Sequence, residues 1–87
     1  MLLINFKKIF IKKFKKLSPK IRSKFNENLK IFEVDFYNPA LNNHALNGKY
    51  LNCRSINATG DIRAIYKMQA NNVALFVYID NHSNLYK

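Results

Sequence analysis

Apolar and polar residues alternate most clearly in the run RSINATGDIRAIY, residues 54–66. In the strand predicted from Asp61 onward, one face is apolar and consists of Ile62, Ala64, Tyr66 and Met68. The opposite face carries Asp61, Arg63, Ile65 and Lys67. A period of two residues is typical of a strand with one buried face. Residues 58–60 interrupt the run and include a glycine, as in many hairpin loops of about three residues. The pattern therefore predicts a β-hairpin.

The loop length determines which side chains face each other across this hairpin. A three-residue loop places Asn57 opposite Asp61 and Ser55 opposite Arg63. These four side chains then share a polar face, whereas Arg54 points to the other face. Because a slip of one residue exchanges the two faces, the register decides which polar groups meet. We predict the three-residue loop.

Helical spacing of apolar residues defines two segments before the hairpin. The first segment follows a short apolar stretch, MLLIN, which we predict to be a strand, and its stripe consists of Phe6, Ile9, Phe10, Phe14 and Leu17. The second stripe consists of Ile21, Phe25, Leu29 and Phe32. Ser18 and Pro19 between them are typical of an N-cap and a first helical turn. Because a residue before proline avoids the helical region, Asn38-Pro39 predicts that the second helix ends near Phe36.

Three strands are predicted after the helices, at residues 50–57, 61–69 and 73–79. The last of them, VALFVYI, is apolar throughout and is typical of an interior strand. Residues 38–49, rich in Asn, are predicted to form an ordered surface loop. The predicted fold class is α+β: a short N-terminal strand and a two-helix hairpin packed on a mostly antiparallel sheet of about four strands. With 87 residues, we expect residues 1–87 to form a single domain.

A formal net charge of +10 suggests a polyanionic partner: a nucleic acid, an anionic lipid or an acidic protein. The lysine-rich first helix is compatible with a membrane-surface helix, a targeting peptide or a helix that packs on the core. Lysines interrupt any run resembling a secretory signal, and no segment is long enough to span a membrane. We predict core packing, because a small domain needs the apolar stripe to cover its sheet. The single cysteine, Cys53, suggests a reducing compartment and a buried role.

The candidate chemistry rests on acid and base groups together with positive charge. His44 lies in the predicted loop, and His82 follows the last strand, four residues before Tyr86. The sequence contains no phosphate-binding loop, no dinucleotide fingerprint and no His-x-x-x-His pair. With two histidines and five acidic residues, we expect no metal site and no cofactor.

The runs NHALNGKY, CRSINATGDIRAIY and DNHSNLY, in this order, resemble the RelE superfamily of bacterial toxins, most closely its YafQ-like branch. The similarity covers about the last half of the chain in detail and the helical hairpin by pattern and length. It implies a RelE-like microbial RNase fold and a messenger-RNA endoribonuclease that acts in the ribosomal A site, in the cytoplasm. It also implies a cognate acidic antitoxin as partner, with the toxin a monomer alone and part of a hetero-oligomer with the antitoxin.

The resemblance also implies roles for individual residues. His44, Asp61 and His82 occupy positions where YafQ-like toxins hold catalytic acid or base residues, and Arg63 matches a phosphate-stabilising arginine. The residues predicted to contact substrate are Lys49, Asn57, Tyr86 and, more weakly, Arg54. Asn57 stands where the YafQ pattern has a histidine, and an asparagine orients a substrate but does not titrate.

Two other functions fit the same sequence. One is a non-catalytic domain of this fold that binds RNA or the ribosome, since the expected histidine is replaced by Asn57. The other is a cationic protein of the membrane surface that uses the first helix. For Asp61 and Arg63 taken alone, the ordinary interpretation is a turn residue and an exposed ion pair.

Overall fold

The computed structural model describes residues 2–85. Within this range the strands form one mixed sheet with the order β1-β5-β4-β3-β2. The strand bounds are β1 Leu3–Phe6, β2 His44–Ala45, β3 Arg54–Asn57, β4 Ile62–Ala70 and β5 Val73–Asn81. The helix bounds are α1 Lys8–Lys15, α2 Pro19–Val34 and α3 His82–Leu85. The α+β class is confirmed, and the sheet has one more strand than the four predicted.

The N-terminal third forms the predicted strand and helical hairpin. β1 pairs in parallel with β5, which is an interior strand as its apolar sequence predicted. The Ser18 hydroxyl accepts a hydrogen bond from the backbone N–H of Ile21 at 3.3 Å, so the predicted N-cap of α2 is confirmed. Phe10 of α1 is buried, as core packing requires, but Ile9 of the predicted stripe is exposed. No helix among residues 2–85 is long and apolar enough to cross a membrane.

The predicted register of the β3–β4 hairpin is wrong by two residues. Asn57 lies opposite Arg63, not opposite Asp61, and Ser55 lies opposite Ile65. The turn is longer because the Thr59 hydroxyl accepts hydrogen bonds from the N–H groups of Asp61 and Ile62, which gives this turn its own local hydrogen bonds. A shift of two residues keeps each side chain on its predicted face. Asp61 therefore lies in the turn and not in β4.

The segment between α2 and β3 is more structured than a loop. Residues Pro39–Leu41 and Gly48–Tyr50 form short 3₁₀ turns, and His44–Ala45 forms β2 at the edge of the sheet. β3 begins at Arg54 and not at Tyr50. The strand β2 was not predictable from alternation, since two residues are too few to show a period.

The main core lies between the helices and one face of the sheet, called here the helix side. Phe76 of β5 is fully buried at its centre. Its ring centroid lies 5.4–5.7 Å from five neighbouring rings, those of Phe6, Phe10, Phe25, Phe32 and Tyr66. Asn28 of α2 adds a polar contact, donating from Nδ2 to the carbonyl oxygen of Asn57 at 2.8 Å. The helix α2 is therefore fixed to the same hairpin that carries Arg63.

A smaller apolar cluster occupies the opposite face of the sheet, called here the open side. Its buried members are Leu46, Ile65 and Leu85. Leu46 follows β2, Ile65 lies in β4, and Leu85 ends α3. Burial of these three side chains holds two distant segments against one point of the sheet. This cluster determines where His44 and His82 lie.

Candidate functional site

His44 and His82 line one open cavity of about 300 Å³, together with Ala45, Leu46 and Asn47. The structure thus brings together the two histidines of the sequence. The cause is the cluster on the open side, because Leu46 and Leu85 lie close in sequence to His44 and His82 and both are buried. Both imidazoles are exposed, as groups that exchange protons with a bound molecule must be.

Asp61 and His82 are in contact through a backbone hydrogen bond. The carbonyl oxygen of Asp61 accepts a hydrogen bond from the backbone N–H of His82 at 2.9 Å. The contact fixes the start of α3 against the hairpin turn and leaves the side chain of Asp61 exposed. Three of the predicted acid or base residues, His44, Asp61 and His82, therefore lie around the same end of the sheet.

Arg63 is held by the turn that precedes it. Its Nη1 donates to the carbonyl oxygens of Thr59 at 3.2 Å and Gly60 at 2.6 Å. Within residues 2–85, Arg63 and Asp61 form no ion pair, so the ordinary interpretation as an ion pair is wrong. Because the side chain is half-buried and anchored at one nitrogen, its guanidinium has a restricted position beside the turn.

The residues predicted to contact substrate do not all lie on the same face of the sheet. Lys49 is exposed, with its Nζ 5.2 Å from the ring centroid of Tyr50. The side-chain oxygen of Asn57 is buried and has no hydrogen-bond partner among the described residues. Arg54 lies on the helix side, which is the face that the alternation predicted, and it pairs opposite Tyr66. Tyr86 lies outside the described residues.

Tyr66 and Arg54 belong to a polar network on the helix side. Burial raises the pKa of the Tyr66 hydroxyl, and the hydrogen bond from Asn43 opposes this effect without cancelling it. Tyr66 is therefore a neutral hydrogen-bonding group near physiological pH. Arg54 donates from Nε to Oδ1 of Asn43 at 2.8 Å, and its guanidinium carbon lies 5.4 Å from the ring centroid of Tyr37.

The sequence did not indicate that Lys13 supports the C-terminal turn. Its Nζ lies 2.9 Å from Oδ2 of Asp80 and 4.8 Å from the ring centroid of Tyr78. Oδ1 of Asp80 accepts hydrogen bonds from the N–H of Asn81 and from Nδ2 of Asn84. The pair therefore connects α1 with the turn that carries His82. A lysine among many on α1 carries no local signal of such a contact.

Asp80 is expected to contribute stability that is lost at acid pH. Burial alone would raise its pKa, but hydrogen bonds from Lys13, Asn81 and Asn84 outweigh burial and hold the pKa below its usual value. A lowered pKa in the folded state stabilises the protein fully above the unfolded value of about 3.9 and progressively less as the pH falls through the folded value. Between about pH 5 and about pH 2, the free energy of unfolding should therefore fall less in Asp80→Asn than in the wild type, by up to about 1 kcal/mol.

Urea denaturation at a series of pH values measures this difference. The matched control is Glu27→Gln, which removes the same charge from an exposed pair with Lys24 at 3.6 Å and should leave the acid dependence unchanged. An acid dependence in Asp80→Asn equal to that of the wild type would contradict the prediction.

Among residues 2–85, no three His, Cys, Asp or Glu side chains lie together as ligands of a metal ion would. His44 and His82 line the cavity, and the backbone of Asp61 contacts that of His82, whereas neither Arg63 nor Lys49 is among the described residues that line it. Two imidazoles at one cavity can exchange protons with a bound molecule.

No protein-family model and no curated protein matches the sequence. Solved structures do match. YafQ from E. coli has a TM-score of 0.76 and 17% identity, with 100% of each chain covered. A copper-bound mutant toxin from Helicobacter pylori has a TM-score of 0.73 and 24% identity, with 99% of this chain and 100% of that chain covered. RelE from an archaeal RelE–RelB complex of Pyrococcus horikoshii has a TM-score of 0.75 and 19% identity, with 92% and 93% covered. The chain therefore has the RelE-type toxin fold, as the resemblance predicted.

Proposed function

We propose that this protein is a toxin that cleaves messenger RNA and thereby inhibits translation. The observation that carries the proposal is the convergence of His44 and His82 on one open cavity of a strongly basic domain with the RelE-type fold. Histidine is the side chain whose unperturbed pKa lies nearest neutrality, so two of them at one site suit acid and base catalysis. A structural role for both is less well supported, because both imidazoles are exposed.

Cleavage of RNA by this site needs a base, an acid and positive charge. The base removes the proton from a ribose 2′-hydroxyl, and the 2′-oxygen attacks the adjacent phosphorus. The bond from phosphorus to the 5′-oxygen then breaks, and the acid donates a proton to that oxygen. The products are a 2′,3′-cyclic phosphate and a free 5′-hydroxyl, so atoms and charge balance without a cofactor.

We assign His82 to one proton transfer and either His44 or Asp61 to the other. Arg63 and Lys49 supply the positive charge that stabilises the pentacoordinate phosphorane. Arg63 suits this role because the turn carbonyls hold one of its nitrogens in place, which reduces the reorganisation needed during the reaction. Asn57 and Tyr86 are proposed to contact the substrate, Tyr86 by stacking on a base or by orienting the phosphate.

The charge of the chain supports both an RNA substrate and an acidic protein partner. Three of the fifteen Lys and Arg residues are exposed lysines of α1 and form a basic surface there: Lys8, Lys12 and Lys15. Such a surface attracts phosphate groups and binds more weakly as salt is added. A RelE of this fold is found in complex with RelB. By analogy we propose that a cognate acidic antitoxin covers the basic surface, and that the free toxin acts on ribosomes in the cytoplasm.

Expression with and without the presumed antitoxin tests the proposal. We expect growth arrest only without the antitoxin, together with new 5′ ends that cluster within codons of translated messages. The 5′ ends are mapped across all messages after brief induction. Salt-sensitive binding to ribosomes without new 5′ ends would overturn the nuclease and favour a non-catalytic domain that binds RNA. Sedimentation with anionic vesicles in place of ribosomes would favour the membrane alternative.

A further inference from the structure

Asn43 is the centre of a hydrogen-bond network directly before His44. Its Nδ2 donates to the carbonyl oxygen of Phe36 and to the hydroxyl of Tyr66, both at 2.7 Å. Its Oδ1 accepts from Nε of Arg54 at 2.8 Å. Since an arginine only donates and a carbonyl oxygen only accepts, the amide of Asn43 fits in a single orientation. The segment just after α2, together with β3 and β4, thus holds this one side chain.

The network lies on the helix side of the sheet, whereas the cavity lies on the open side. Tyr66 belongs to the main core, and Arg54 is its partner across the hairpin. His44 pairs opposite Ser55, on the other face. Successive residues of an extended chain point to opposite faces. Fixing Asn43 on the helix side therefore directs His44 to the open side.

The imidazole of His44 is oriented by the peptide group next to Asn43. Its Nδ1 lies 2.8 Å from the carbonyl oxygen of Asn42. A carbonyl oxygen only accepts, so Nδ1 carries a hydrogen and the neutral ring has its lone pair on Nε2. That carbonyl belongs to the planar peptide that joins Asn42 to Asn43, so a fixed Asn43 also fixes the acceptor. Asn42 itself adopts φ 49°, a left-handed conformation that asparagine tolerates.

We propose that Asn43 and Arg54 are positioning residues, which hold the peptide between Asn42 and Asn43 so that His44 keeps one tautomer and presents Nε2 for proton transfer. Arg54 then acts through Asn43 and does not contact the RNA phosphate. This replaces its predicted role as a substrate contact. The effect on cleavage rests on the proposed function, whereas the effect on the tautomer of His44 does not.

A double-mutant cycle on cleavage of a ribosome-bound message tests the role of Arg54. We expect Asn43→Ala to lower kcat by up to about 100-fold with little change in KM, because a misplaced proton-transfer group reduces the rate more than it reduces binding. Arg54→Lys, which keeps the charge, should lower kcat in the same way, and the double variant should be no worse than Asn43→Ala. Effects that multiply, or a raised KM in Arg54→Lys, would overturn the proposal in favour of direct contact with RNA.

The control for general damage to this segment is Asn38→Ala. Its side chain caps the neighbouring 3₁₀ turn, accepting from the N–H of Ala40 at 3.0 Å, and within residues 2–85 it forms no hydrogen bond with His44. We expect this variant to keep the wild-type kcat. A loss equal to that of Asn43→Ala would show that the segment responds to any perturbation and would overturn a specific role for Asn43.

Nitrogen NMR of the His44 ring provides a measurement that needs no RNA. In the wild type we expect the neutral ring to be protonated at Nδ1, and in Asn43→Ala to be a mixture of both tautomers. An unchanged tautomer in a folded Asn43→Ala would overturn the proposal, and Arg54→Lys carries the same test if Asn43→Ala does not fold. A wild type that shows the expected tautomer and network but cleaves no RNA would refute the proposed function alone.

Discussion

Replacing His82 with alanine is expected to abolish messenger-RNA cleavage and the growth arrest that follows from it, while the fold stays intact. Loss of a general acid or base lowers a rate by about 10²- to 10⁴-fold. The imidazole is exposed, and the contact of His82 with Asp61 uses the backbone N–H, which alanine retains. The variant should therefore remain folded, as circular dichroism can check, and still bind the antitoxin.

The matched control is Ser83→Ala in the same helical turn. Ser83 is exposed, and its hydroxyl donates to Oδ1 of Asn81 at 3.0 Å. This variant should keep its toxicity, because it alters the same turn without removing a titratable group. Growth assays and single-turnover cleavage by purified proteins give the comparison. Undiminished toxicity of His82→Ala would show that His82 has no part in proton transfer.

Replacing Phe76 with alanine is expected to have the largest effect on stability. Phe76 is fully buried and contacts rings from β1, both long helices and β4. Truncating a phenylalanine in such a position costs about 3–5 kcal/mol, from lost burial and the cavity that is left. The free energy of unfolding of a native domain is about 5–15 kcal/mol in total. The melting temperature of the variant should therefore lie more than about 10 °C below that of the wild type.

Thermal and urea denaturation followed by circular dichroism measure this loss. The control is Val34→Ala, which also removes apolar volume but from a side chain that is 76% exposed at the end of α2. Its stability should change by no more than about 0.5 kcal/mol. Equal stability of the two variants would contradict the central position of Phe76 in the core.

The elements that the sequence predicted well are those with a local cause. The apolar stripe of α2 recurs over several helical turns, and Ser18-Pro19 marks the start of the helix. The helix and its first residue can therefore be predicted from neighbouring residues alone. The apolar run of β5 likewise requires burial on both sides wherever the strand lies. By contrast, Ile9 fits the helical period of α1 but is exposed, because the first helix of a small domain covers the sheet with only part of its stripe.

The hairpin shows where local reasoning stops. Alternation correctly assigned Arg63 and Ile65 to the open side, but loop statistics favoured a turn that is two residues too short. The Thr59 hydroxyl decided the register by bonding to the N–H groups of Asp61 and Ile62. Side-chain hydrogen bonds within a turn compete with the backbone hydrogen bonds between the strands. Which of them form depends on the geometry of the folded turn, which the sequence alone does not show.

By itself, the sequence determined the fold class, the two helices, the interior strand, the charge of the chain and the residues able to titrate near neutrality. These follow from composition and from periods that extend over a few residues. Only the tertiary structure decided which of these residues meet. His44 and His82 share a cavity because Leu46 and Leu85 are buried beside Ile65, and Lys13 reaches Asp80 across 67 residues of chain. Such contacts depend on the packing of distant segments, which no local pattern encodes.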